Sequence, residues 1–250
     1  VITRVISFML PPVCDICGGI ADGDDRFTSY GQIYRRIYGV LPTLHICGKC
    51  LSQIVPQDRD KRWFLCLSEP FEHDPVPSQP LYVPFPYEGA MSRVVPGIKF
   101  GRKKELARFL GILYGGLLRE DDIRADIMVP VPLSPARFRE RGFNQAGEIC
   151  FPAAKICGFA YGENVLIRTR ETKRQTEMAS NTSRIDNVSG AFAVSDEWDV
   201  SGLTVILADD VATTGFTLHE ACIALYAAGV SKVLCSALSG NRQVKNAEPF

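Results

Sequence analysis

Leu203-Thr-Val-Ile-Leu-Ala-Asp-Asp-Val-Ala-Thr-Thr-Gly-Phe-Thr-Leu218 is the stretch whose reading decides the fold of this chain. A mostly apolar strand, Leu203 to Ala208, runs straight into Asp209 and Asp210. A Thr-Thr-Gly turn then opens a helix, expected over 216–228, whose Leu218, Ala221, Cys222 and Leu225 share one face. In such a strand, loop and helix unit, ligands collect at the carboxyl ends of the strands, and the amides of the first helical turn favour an anion. Gly215 lets the backbone turn tightly and approach a phosphate. Thr213, Thr214 and Thr217 can add hydroxyl donors around the same oxygens. The two carboxylates would repel a phosphate at contact range but suit ribose hydroxyls, or a magnesium-bridged group slightly farther away. No lysine follows the glycine, so the segment is not a nucleoside-triphosphate P-loop. The plainer alternative is a helix capped by Asp210 or Thr213 after a strand.

Working outward, apolar residues Leu106, Phe109, Leu110, Leu113, Tyr114 and Leu117 recur at helical spacing, which predicts a helix over 102–119. A strand is expected at Ile127 to Val131 and a helix over Asn144 to Cys157, followed by strands near 165–168, 191–194 and 232–238. Strands alternating with helices predict an α/β fold with a mainly parallel central sheet. Six prolines between Ser68 and Pro86 favour an extended connection. The expected organisation is therefore a cysteine-bearing module over residues 1–67, a linker over 68–86 and the main domain over 87–250.

Cys14 and Cys17 form one C-x-x-C, and Cys47 and Cys50 form another after 29 intervening residues. Four thiolates in a tetrahedral set favour a closed structural zinc site. The gap exceeds the roughly 15–20 residues of the common spacing, so an inserted hairpin containing Tyr30 to Tyr38 is expected to fill it. Two redox-active pairs, or His45 in place of one thiol, are the alternatives. Cys66, Cys150, Cys157, Cys222 and Cys235 read as buried or incidental.

The 28 basic and 28 acidic residues cancel, so the molecule as a whole offers no net field for nucleic acid or anionic membrane. Val1 to Leu10 makes a poor export sequence, being short and interrupted by Arg4. With no run approaching the ~20 apolar residues of a membrane span, a cytoplasmic protein is expected, where paired cysteines suggest metal before disulfide.

The segment 203–218 resembles the phosphoribosyl pyrophosphate signature of type I phosphoribosyltransferases, an apolar strand followed by two acids and a Thr-Thr-Gly-x-Thr loop. By that resemblance Asp209 and Asp210 bind the ribose hydroxyls and steady the reacting sugar, while Ala212, Thr213, Thr214, Gly215, Phe216 and Thr217 hold the 5′-phosphate, with magnesium accompanying the ligand. Two more segments are similar to the ComF group, a bacterial branch associated with DNA uptake in competent cells. One is Val129-Pro-Val-Pro-Leu-Ser-Pro-Ala-Arg-Phe-Arg-Glu-Arg-Gly-Phe-Asn-Gln145. The other runs from Arg168-Thr-Arg-Glu-Thr172 through Gln175 and Arg184 to Asn187-Val-Ser-Gly-Ala-Phe192. The N-terminal cysteine pairs complete the same layout.

The resemblance puts the backbone after Pro132 at the pyrophosphate, where Arg137 and Arg141 suit phosphate oxygens. Asn144 and Gln145 either orient a ligand or cap the next helix. The stretch Arg170 to Arg184 resembles the mobile catalytic hood of that fold, with Arg170, Thr172 and Gln175 as its candidates. The function implied is a phosphoribosyltransferase of unknown acceptor. The alternative is a non-catalytic accessory that handles single-stranded DNA with competence proteins, contacting it through the basic runs Lys99 to Arg108 and Arg137 to Arg141. A third reading is a regulator that senses phosphoribosyl pyrophosphate without turnover.

Overall fold

The structure, a computed structural model, describes residues 12–21, 26–66, 79–101, 103–169, 190–213 and 215–240. Its centre is a sheet in the order β1 (Trp63–Cys66), β2 (Gln79–Tyr82), β9 (Lys232–Gly240), β8 (Thr204–Ala212), β4 (Ile127–Pro130) and β5 (Ala160–Tyr161). A short β3 (Phe85–Pro86) extends the β2 side along β9. The β1–β2 pairing is antiparallel, and β2, β3, β9, β8, β4 and β5 pair in parallel. Strands β6 (Leu166–Arg168) and β7 (Phe192–Val194) form a separate antiparallel pair.

The helices are α1 (Arg26–Tyr38), α2 (Gly48–Leu51), α3 (Met91–Gly101), α4 (Lys104–Glu120), α5 (Pro135–Arg141), α6 (Gln145–Cys157) and α7 (Phe216–Ala227). The central strands feed two cores because successive side chains leave a strand on opposite faces. In β8, Ile206 and Ala208 join the core built by α1, α3, α4 and α6, while Val205 and Leu207 join the one built by α7 and the β6–β7 pair. In β9, Leu234 and Leu238 enter the first core, and Val233, Cys235 and Ala237 enter the second. Strands buried on both faces read as continuous apolar runs, which is why β4, β8 and β9 are legible in the sequence.

The long helices pack through small residues. A Cβ at Gly111 of α4 would lie 2.3 Å from the Ile149 carbonyl oxygen, and one at Gly115 would lie 2.8 Å from Ala153 Cα on α6. Glycine at these positions, one turn apart, lets the two helix backbones touch and fixes their crossing.

Two features depart from the sequence expectation. The stretch between the cysteine pairs carries helix α1 instead of a hairpin. Tyr30, Tyr34 and Tyr38 fall four apart, so their rings stack along one face, and the Tyr30 ring meets Phe109 of α4 edge-on at 4.9 Å. Residues 79–82 and 85–86, inside the expected linker, are strands, so the sheet begins before residue 87 and also takes in Trp63–Cys66. Arg62 secures this part, donating to Asp121 at 2.8 Å, while the Tyr82 hydroxyl donates to the same carboxylate at 2.7 Å. Helix α3 forms with Pro96 inside it, held by buried Met91, Val94, Val95 and Ile98.

Candidate functional site

The site lies at the carboxyl end of β8. Ala212 is buried at the end of the strand, Thr213 is exposed, and Gly215 sits at the N-cap of α7 with φ +80°, a left-handed conformation that strains any residue with a Cβ. Phe216 and Thr217 follow as the half-buried first turn of α7, which has no side-chain cap and no acidic residue. A helix end of this kind carries partial positive charge and accepts an anion. Thr214 lies outside the described residues, as do Arg170, Thr172, Gln175 and Arg184.

Asp209 and Asp210 precede this turn. The Asp209 carboxylate accepts a 2.7 Å hydrogen bond from the Asp210 amide, and Asp210 is ion-paired with Lys99 of α3 at 3.0 Å. Burial pushes the Asp209 carboxyl up to about 7, the adjacent Asp210 charge adds to that, and Lys99 opposes it. Two carboxylates this close resist ionising together, so the pair is poised to take a cation or hydroxyl donors.

Facing the acids is a set of guanidinium groups. Beyond β4 the chain stays beside β8, because the Val131 amide donates to the Ala208 carbonyl at 2.9 Å, so Pro132 sits beside the strand end that carries the acids. Ser134 caps α5 by accepting from the Arg137 amide, and Gly142 closes it with φ +82°. That short helix presents Arg141 to the acids, with Arg137 close to both Arg141 and Arg168. Burial lowers the Arg141 pKa, the Asp210 and Asp209 charges work against that, and Arg137 repels it. Arg141 donates to the buried Gln145 amide oxygen at 2.8 Å, so Gln145 orients this arginine. The Asn144 side chain instead donates to the Val131 carbonyl at 3.0 Å, locking the start of α6 to the end of β4.

Two residues at this site were not singled out from the sequence. Lys99 was read as part of a basic run, because Pro96 and the glycines around it hide α3. Arg168 appeared within a family segment without an assigned task. Its guanidinium stacks over the Phe192 ring at 5.1 Å and donates to the Pro132 carbonyl at 3.5 Å. Burial lowers its pKa to about 10, with Arg137 pushing the same way and Asp209 opposing. Its position at the end of a strand, next to a polar stretch, was the available signal. The β6–β7 pair also holds the two ends of that stretch against α7, since the Gly190 amide donates to Glu220 at 2.9 Å and the Thr169 amide to the Ala191 carbonyl at 2.9 Å.

The basic run from Lys99 to Arg108 is largely consumed within the molecule. Lys103 contacts Asp15, Lys104 pairs with Glu148 at 2.8 Å, and Arg108 pairs with Glu148 at 2.8 Å while stacking over Tyr38. The Lys103 and Arg108 contacts to Asp15 and Tyr38 seat the cysteine module on α4, where Thr43 also bonds Glu105 through its amide and hydroxyl, while Glu148 ties the start of α4 to α6.

In that module Cys14, Cys17, Cys47 and Cys50 converge, with their sulfurs within 4.8 Å of one another. Thiolates about 2.3 Å from a tetrahedral zinc ion lie about 3.8 Å apart. The Cys17 and Cys47 sulfurs are 3.8 Å apart, so the set fits such an ion. Gly18, at φ +75°, turns the first loop back so that the Cys14 amide meets the Gly19 carbonyl, and Cys47 starts the short α2 that brings Cys50 round. Cys14, Cys47 and Cys50 are buried and Cys17 is exposed. The Cys47 amide donates to the Cys14 sulfur at 3.3 Å, as backbone amides do to metal-bound thiolates. The four cysteines could therefore hold a metal ion such as zinc.

No described helix is long and apolar enough to cross a membrane. The family model described as a phosphoribosyl transferase domain matches residues 158–248. The chain is 33% identical over 205 residues to the DNA utilization protein YhgH of Salmonella typhimurium, covering 77% of this chain and 78% of that one. It is 34% identical over 103 residues to competence protein ComFC of Bacillus subtilis, covering 41% and 39%. Against competence protein F of Haemophilus influenzae the figures are 28% over 137 residues, 54% of this chain and 59% of that one. The parallel sheet, the acid pair before the glycine turn and these relatives agree: the chain belongs to the ComF family of proteins with a type I phosphoribosyltransferase fold.

Proposed function

We propose that this protein binds phosphoribosyl pyrophosphate together with magnesium at the end of β8 and serves in the uptake or use of DNA. The observation that supports the ligand most is the joint placement of two kinds of group. Asp209 and Asp210 offer acceptors suited to a sugar diol, and the Gly215 turn opens α7 beside them, so that the partial positive charge of a helix N-terminus lies next to the acids. Arg137, Arg141 and Arg168, all in electrostatic reach of the acids or of each other, suit the diphosphate.

In this reading Ala212 to Thr217 hold the 5′-phosphate and the acid pair grips the ribose 2′ and 3′ hydroxyls. As the glycosidic bond loosens, positive charge grows on the sugar and negative charge on the departing pyrophosphate. The carboxylates stabilise the first and the arginines the second. Magnesium, when bound with the ligand, supplies further neutralisation of the pyrophosphate oxygens. The acceptor is a nucleophile of unassigned type. Isothermal titration of the full chain with phosphoribosyl pyrophosphate and magnesium tests the ligand: saturable binding that disappears in Asp209→Ala plus Asp210→Ala supports it, and the absence of binding removes it. Pyrophosphate release across candidate acceptors then separates a transferase from a sensor of the same ligand.

The role in DNA use rests on the relatives' names, DNA utilization protein and competence protein. A non-catalytic handler of single-stranded DNA is the second reading, and one observation favours it. Within α5, Phe138 is 51% exposed beside the exposed Arg139, an aromatic and a cation that a strand of bases and phosphates could use. Salt-dependent retention of a labelled single strand, lost in Phe138→Ala plus Arg139→Ala, would support that reading. We also assign zinc to the four cysteines and the cytoplasm as location, because four reduced thiolates persist where disulfides are disfavoured. One zinc per chain by elemental analysis, lost in Cys14→Ser plus Cys47→Ser, is the expected result.

A further inference from the structure

The ammonium of Lys99 lies 3.0 Å from the Asp210 carboxylate, and both side chains are largely shielded from water, at 23% and 12% exposure. The helix that delivers it is firmly seated. Met91, Val94, Val95 and Ile98 of α3 are buried, and α3 runs directly toward α4, whose first turns are clamped to the cysteine module through Asp15 and Glu105. A long lysine held from such a base has less rotamer freedom to lose than a surface lysine, so the ion pair keeps more of its value.

The acid pair has other charged and titratable neighbours. Arg141 faces it from α5 with Arg137 beside that arginine, Arg168 faces it from β6 and the Cys150 thiol from α6. Arg141 is committed to Gln145, and Arg168 reaches the Pro132 carbonyl. Among the described residues, the ion-pair partner of Asp210 is Lys99.

A ligand with a diol beside one or more phosphates sets a conflict. The diol needs carboxylate acceptors, yet two adjacent carboxylates repel the phosphates at short range. Resting on the phosphoribosyl reading, we propose that Lys99 is a positioning residue of the ligand site. Its ammonium fixes the Asp210 carboxylate and cancels one of the pair's two negative charges, so that the acids can grip a sugar diol without expelling its phosphates. Lysine suits the task because it is a compact point charge on a flexible stem, able to stay on the carboxylate edge while the other edge receives a hydroxyl. The opposing effect of Lys99 on the raised Asp209 carboxyl agrees with this placement.

The test compares the full-length wild type with Lys99→Met and Lys99→Arg. In ligand-free protein, carbon-13 titration of labelled aspartate is expected to show the Asp209 midpoint rising by about one pH unit or more in Lys99→Met and staying near wild type in Lys99→Arg. Binding of phosphoribosyl pyrophosphate with magnesium at pH 7 is expected to weaken about tenfold in Lys99→Met, with the whole affinity profile displaced to higher pH, and to recover in Lys99→Arg. Superimposed titration and binding curves for wild type and Lys99→Met would overturn the proposal. If the wild type ignores the ligand while the ligand-free titration still moves, the phosphoribosyl reading falls and the hold of Lys99 on the acid pair stands. If the wild type binds and Lys99→Met binds with the same pH profile, the positioning role falls and the ligand reading stands.

Discussion

Basic residues do opposite things in two neighbouring regions of this molecule. Along the first turns of α4, Lys103, Lys104 and Arg108 each meet an acid, at Asp15 or Glu148, and Arg108 also stacks on Tyr38 and bonds the Tyr34 hydroxyl. These charges fasten the start of α4 to the cysteine module on one side and to α6 on the other. Around the end of β8, Lys99, Arg137, Arg141 and Arg168 outnumber Asp209 and Asp210, and the surplus of positive charge suits a phosphate-bearing ligand. Runs of basic residues are indistinguishable in sequence. What separates them is whether the fold brings acids to meet them, and that decides between a fastening and a binding surface.

The comparison can be broken most sharply at Arg141. Arg141→Ala is expected to weaken phosphoribosyl pyrophosphate binding by about 2–3 kcal/mol, in the range for losing one partner of a shielded phosphate contact, while the melting temperature stays within a few degrees of wild type. Titration calorimetry and thermal denaturation would show this. An equal loss of stability would mean that Arg141 is a fastening like Arg108. On the other side, Gly111→Val should cost about 1–3 kcal/mol or more of stability, because its side chain would meet the Ile149 carbonyl and Pro152 across the α4–α6 contact. Urea denaturation measures that loss, and an unchanged midpoint would mean that the helices do not touch there.

Glu148→Ala strips Lys104 and Arg108 of their shared acid and should destabilise the chain by about 1–3 kcal/mol, with ligand affinity unchanged. Loss of affinity in this variant would dissolve the distinction between the two groups. A smaller effect with a defined sign belongs to Asp209. Its carboxyl in the folded chain is raised from 3.8 to about 7. The folded state therefore holds that proton more tightly than the unfolded chain does. This group's contribution to stability is full below about pH 4, declines as pH rises, and has gone above about pH 7. Asp209→Asn removes the penalty, so it should melt higher than wild type at pH 8 and alike at pH 4. A lower melting point at pH 8 would show that the ionised carboxylate is stabilised by its surroundings.

Much of the fold was legible because the central strands and the amphipathic helices each carry a single strong pattern. The run 203–208 is apolar on both faces, α4 shows a helical stripe, and the acid pair before Thr-Thr-Gly marks the strand end. Helix α1 was misjudged because aromatic residues favour strands as single residues, although Tyr30, Tyr34 and Tyr38 already stood at helical spacing. Strands β2 and β3 were hidden by Pro80 and Pro86, which the sheet accommodates with Pro80 opposite Leu65 and Pro86 beside Gly240. Lys99 was invisible as a site residue, since it reaches the acids only through the tertiary placement of α3, and Arg168 offered only its place at a strand end beside a polar stretch. The cysteine cluster was legible because each pair is held by a local turn, whereas the meeting of the two pairs depends on the seat that α4 provides.

A structure of the full chain with phosphoribosyl pyrophosphate and magnesium tests the central claim most directly. The account predicts the 5′-phosphate within hydrogen-bond distance of the Ala212 to Thr217 backbone, the ribose hydroxyls on Asp209 and Asp210, and the diphosphate toward Arg137 and Arg141. A ligand bound elsewhere, with the acid pair still occupied by Lys99 alone, would contradict it.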